Sequence, residues 1–105
     1  MIRSDTDFLI QSGAICDRRN DVIDKVLYTY LVSCENKFAD EYGEWFNVRM
    51  EELKNVIDVA SKDTVLIHLN RLCYHGYIEV ANLKSCNNEI VRARIRTSEE
   101  RAALE

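Results

Sequence analysis

Residues 48–80 read VRMEELKNVIDVASKDTVLIHLNRLCYHGYIEV, and this stretch constrains the fold more than any other. Met50, Leu53, Val56 and Ile57 recur at helical spacing, and Glu51 and Glu52 suit the start of a helix. Asp58, Val59 and Ala60 make a short turn. Ser61 is a natural N-cap for a second helix, whose apolar residues are Val65, Leu66, Leu69, Leu72 and Cys73. Its opposite side carries Lys62, Asp63, Ile67, His68, Asn70, Arg71 and Tyr74. Gly76 can take the positive φ that stops a helix, and Tyr77 to Val80 then alternates as a strand. Helix, tight turn, helix, glycine stop and strand form the order of a helix-turn-helix that runs into a β-hairpin.

The flanking sequence completes the unit. Asn20 or Asp21 can cap a first helix over residues 21–36, with apolar Val22, Ile23, Val26, Leu27, Tyr30, Leu31 and Cys34. Trp45 to Val48 predicts a short strand with Trp45 and Phe46 on opposite faces, one in the core and one partly exposed. After a polar tip at Asn87 and Asn88, Ile90 to Arg96 alternates strictly, with Val91, Ala93 and Ile95 on one face and Arg92, Arg94 and Arg96 on the other. The expected elements are helices over 21–36, 50–58 and 61–75, a hairpin wing over 77–96 and a short helix over 98–103 capped by Ser98. Residues 7–14 suggest an edge strand or extended arm. The fold class expected is mainly α with a small antiparallel β-hairpin, a winged helix-turn-helix in one domain spanning residues 1–105.

Charge sharpens the functional reading. The chain carries a net charge of −4, which disfavours indiscriminate nucleic-acid binding. Residues 1–60 hold seven Lys/Arg against twelve Asp/Glu, whereas residues 61–96 hold six against three. The positive half contains the second helix and the wing, as expected of a domain with one DNA-facing side. Lys62, His68 and Arg71 can reach phosphates or base edges, Ile67 stands among them, and Lys84 lies towards the wing tip. Ser61 and Thr64 can hold a phosphate at the helix start, or merely cap it. The like charges of Arg92, Arg94 and Arg96 repel, so they either pair with carboxylates of the acidic half or contact a DNA backbone.

Other chemistry finds no support. There is no Gly-rich phosphate loop, no Ser-His-Asp order and no His/Cys metal cluster, so neither an enzyme nor a cofactor is expected. Cys16, Cys34, Cys73 and Cys86 have no Cys-x-x-Cys spacing and read as reduced, structural cysteines of a cytoplasmic protein. No apolar run approaches the roughly 20 residues of a membrane span.

Leu27 to Leu31, Trp45 to Val48, Ser61 to Thr64, Leu69 to Leu72 and Gly76 to Ile78 together resemble the winged-helix domains of the replication initiator A family and of DnaD-type primosome proteins. The resemblance covers about residues 20 to 97. It implies double-stranded DNA as partner, a homodimer or larger replication assembly, and a role in replication initiation or transcription control of a bacterial, plasmid or phage system. Asp63 and Ile67 depart from that pattern, which favours early arginines or lysines in the second helix. They leave open the alternative of a protein-interaction or dimerisation module without DNA binding.

Overall fold

The computed structural model describes residues 17–81, 89–97, 99–100 and 103. The arm or strand expected over residues 7–14, Ser98, and the wing tip with Lys84 lie outside these. The described chain is an α+β arrangement of three helices over a three-stranded antiparallel sheet.

Helix α1, Val22–Phe38, begins in a reciprocal cap. The Asp21 carboxylate accepts from the Asp24 N–H at 2.7 Å, and the Asp24 carboxylate accepts from the Asp21 N–H at 3.1 Å. Its packed face differs from the expected stripe. Leu27, Tyr28, Leu31 and Val32 are fully buried, while Val22 and Val26 are exposed. Apolar residues surround more than one face of this helix, so periodicity does not select which face packs. Tertiary contact selects it: the Tyr28 ring meets the Tyr77 ring edge-on with centroids 5.7 Å apart.

Strand β1, Phe46–Arg49, buries Phe46 and Val48 and exposes Asn47 and Arg49. Helix α2, Met50–Val56, follows at once and is shorter than expected. It has no side-chain cap, and its first N–H, that of Met50, instead donates to the Glu89 carbonyl at 2.7 Å. The turn after it passes through Asp58 at φ 54°, a conformation aspartate tolerates better than most residues.

Helix α3, Lys62–Tyr74, starts where Ser61 Oγ accepts from the Asp63 N–H at 3.1 Å. It ends as the sequence suggests. Gly76 adopts φ 82°, and the Gly76 and Tyr77 N–H groups donate back to Cys73 and Leu72 at 3.0 Å each. That pair of bonds is a Schellman stop, which requires the left-handed conformation glycine takes without a Cβ clash.

Strands β2, Ile78–Val80, and β3, Ile90–Ile95, pair antiparallel, with Ile78 opposite Ile95 and Val80 opposite Ala93. The sheet is larger than a hairpin because β1 adds to the other side of β3, Phe46 opposite Ala93 and Val48 opposite Val91, giving the order β1-β3-β2. Val91, Ala93 and Ile95 point inward against the helices, and Arg92 points outward. At the C-terminal end Glu99, Glu100 and Ala103 are helical. Thr97 caps this turn: its hydroxyl accepts from the Glu100 N–H at 3.2 Å, and Glu100 accepts from the Thr97 N–H at 3.1 Å.

Candidate nucleic-acid interface

Packing against α1 and the sheet leaves one side of α3 outward. Lys62, Asp63, Ile67, Asn70 and Tyr74 are exposed there, Ile67 at 58% and Tyr74 at 86%. Ser61 is exposed but acts as the cap, and Thr64 is half-buried. His68 does not belong to this side. It is 7% exposed and faces the amino end of α1, a correction to its expected place on the solvent face.

His68 and Arg71 are both held by that helix start. His68 Nδ1 lies 2.6 Å from Asp24 Oδ1, and the Asp24 side chain is wholly buried. One Arg71 nitrogen donates to Asp21 Oδ2 at 2.8 Å and to Asp24 Oδ2 at 3.1 Å. These carboxylates raise the Arg71 pKa. For Asp21, burial pushes the carboxyl up, but the Asp24 N–H and Arg71 outweigh it and leave the pKa lowered. One oxygen each of Asp21 and Asp24 and a ring nitrogen of His68 lie within 4.8 Å of one another, a spacing a metal ion can use. Arg71 already supplies the compensating positive charge there, so the cluster is complete as an ion-pair network. The network continues outward: His75 Nδ1 sits 2.9 Å from Asn20 Oδ1, and the Tyr77 hydroxyl donates to Asp17 at 2.6 Å. Asp17 is held well below the usual carboxylate range, chiefly by Arg19.

The arginine ladder divides. Arg94 Nε donates to the Gly43 carbonyl at 2.8 Å, and its other nitrogens donate to Glu79 at 2.7 Å and to Glu100. Burial opposes the Arg94 charge, and Glu100 and Glu79 more than offset it. Arg96 pairs with the second oxygen of Glu79 at 2.8 Å. The carboxylate partners thus come from β2 and the C-terminal turn rather than from the acidic N-terminal half. Arg92 is exposed instead, its guanidinium 5.7 Å from the centre of the Trp45 ring and one nitrogen 3.5 Å from Asn47 Oδ1.

Two cations that sequence reasoning did not single out join Lys62. Arg49, at the end of β1, and Lys54, in α2, line a concavity of about 490 Å³ with Lys62, Met50, Ala60, Glu51 and Glu89. Lys54 reaches Glu51 at 3.3 Å, an exposed pair of small energetic weight. Nothing in the spacing of positions 49, 54 and 62 announces this meeting. It follows from the Met50–Glu89 bond, which fixes α2 to the start of β3, and from the turn that brings α3 back beside α2.

Of the expected contact set, Ser61, Lys62, Ile67 and Arg92 are therefore outward, Thr64 is half-buried, and His68, Arg71, Arg94 and Arg96 are engaged internally. Cys34 is buried and Cys73 half-buried, both as free thiols. Burial raises both thiols, Cys73 to about 11, which makes them poor nucleophiles. Among the described residues no helix is long and apolar enough to cross a membrane. Comparison with protein-family models, with curated proteins and with solved structures gave no match to this chain.

Proposed function

We propose that the chain is a DNA-binding module of winged-helix type, acting in replication initiation or transcription control. The observation that carries this reading is the concavity where Arg49, Lys54 and Lys62 converge beside the start of α3. Three cations against Glu51 and Glu89 give this surface a positive excess in a chain of net charge −4. In this reading the three contact phosphates, and the outward side of α3, with Asn70 and Ile67, enters the major groove. Apart from Lys62 that side carries neutral and acidic residues, which makes base readout weak, so phosphate contacts dominate affinity.

The test is fluorescence anisotropy with a random labelled duplex at about 50 and 200 mM salt, where phosphate contacts predict steep weakening. Binding that falls with salt, and a Lys54→Ala/Lys62→Ala variant with a salt slope smaller by about 2, supports the reading. Absence of binding by the intact chain at the lower salt overturns it as a phosphate-driven interface.

A second reading, a protein-interaction module, is favoured by the outward Ile67 and Tyr74 and by the internal pairing of His68, Arg71, Arg94 and Arg96. It predicts self-association in sedimentation equilibrium that Ile67→Lys abolishes.

A further inference from the structure

The outer face of the sheet differs from the α3 surface in kind. Trp45 stands on it, the one tryptophan of the chain and 38% exposed. It continues the alternation of β1, in which Phe46 and Val48 turn inward and Asn47 and Arg49 outward. Arg92 lies over its ring. The ring also borders a shallow hollow of about 390 Å³, lined by Cys73, Ile78, Glu79, Val80 and Arg96. Arg49 stands two residues beyond Asn47, about 7 Å further along the same face.

An apolar aromatic left half in water beside a hollow, with arginines along the same strands, is the composition of a stacking platform. Stacking on an aromatic ring is open to any base that is not already stacked on both sides, and arginine meets the phosphates between bases. A duplex keeps its bases inside and offers this surface only its backbone. A strand with splayed bases offers both parts.

We infer that the outer face of the sheet binds single-stranded nucleic acid, with a base stacked at Trp45 over the adjoining hollow and the backbone running past Arg92 towards Arg49. Arg92 then shifts from its resting place over the ring to a phosphate or stays as the far wall of the stack. Arg49 borders both surfaces, but the inference does not depend on the duplex reading, since Lys54 and Lys62 take no part in it and Trp45 and Arg92 take no part in the other.

The single tryptophan makes the test direct. Oligo-dT and oligo-rU of about 15 nucleotides are titrated into the full chain at about 50 mM salt, following Trp45 emission and the anisotropy of the labelled strand. Expected is saturable quenching that weakens with salt, about tenfold weaker binding for Trp45→Ala, near-intact binding for Trp45→Phe, and weaker binding for Arg92→Ala. Quenching by dT alone, rU alone or both supports the inference. The Lys54→Ala/Lys62→Ala variant should keep this quenching while losing duplex affinity, which separates the two surfaces. Circular dichroism confirms that each variant is folded. Absence of quenching and binding with both strands, or binding that Trp45→Ala and Arg92→Ala leave unchanged in folded protein, overturns it.

Discussion

Asp24 is the residue on which the junction of α1 and α3 turns. A carboxylate with no exposed side-chain surface is tolerable only when its oxygens are satisfied, and Asp24 is bonded to the Asp21 N–H, His68 and Arg71. Asp24→Ala removes the cap partner and leaves a buried histidine with only the more distant Asp21 carboxylate, 3.7 Å away. The expected loss is about 3–5 kcal/mol in urea denaturation, as for breaking other buried pairs. A loss under about 1 kcal/mol would mean that water takes over the site. The same chemistry sets an acid limit. Asp21 and Glu100 titrate lower in the folded chain than in the unfolded one, despite burial, because of the Asp24 N–H and Arg71 in one case and Arg94 in the other. Their contribution is therefore fully present above the usual carboxylate pKa of about 4 and disappears as pH falls through the depressed folded values. Thermal midpoints between pH 7 and 2 should fall in that acid window, and Glu100→Gln should flatten part of the fall.

The elements are held by their ends. Ser61 supplies the only side-chain cap seen at the start of α3 among the described residues, and Ser61→Ala should cost about 1 kcal/mol. Gly76 at φ 82° carries the stop, and Gly76→Ala should cost about 1–2 kcal/mol because a Cβ meets the following carbonyl there. Equilibrium denaturation checks both. No loss, or a gain, for Gly76→Ala would sink the Schellman assignment. Both signals stand in the sequence as single residues at fixed places relative to an apolar period, which is why the bounds of α3 were legible. The face of α1 was not. Val22, Val26, Leu27 and Leu31 fit a helical period as well as Leu27, Tyr28, Leu31 and Val32 do, and packing against the rest of the core, Tyr77 included, distinguishes them.

Across the whole molecule, cations divide between holding the fold and facing outward. Arg94 links β3 to the loop at Gly43, to β2 and to the C-terminal turn, so it acts as a clasp. Arg94→Ala should lower stability by about 1–3 kcal/mol, the range for losing bonds that involve a charged group. If the chain binds duplex DNA as proposed, Arg94→Ala should leave that affinity nearly unchanged when measured well below the melting temperature. Lys54→Ala/Lys62→Ala should do the reverse. If Arg94→Ala weakens duplex binding as strongly as the lysine pair does, the division proposed here is wrong.

The sequence by itself determined the order of elements from Phe46 to Ile95, the N-cap at Ser61, the stop at Gly76 and the inward alternation of Val91, Ala93 and Ile95. These depend on local conformational preference and on periods of 3.6 and 2, which neighbouring residues reveal. Only the tertiary structure decided which charges neutralise one another. His68 meets Asp24 across 44 positions and Arg71 meets Asp21 across 50, and no local period encodes a contact at that range. The same long-range packing added β1 to the hairpin and gathered Arg49, Lys54 and Lys62 around one concavity. The stretch that looked most chemical, the alternating Arg92, Arg94 and Arg96, proved structural at two of its three positions because Glu79 and Glu100 lie within reach of Arg94 and Arg96 once the sheet and the last turn are in place.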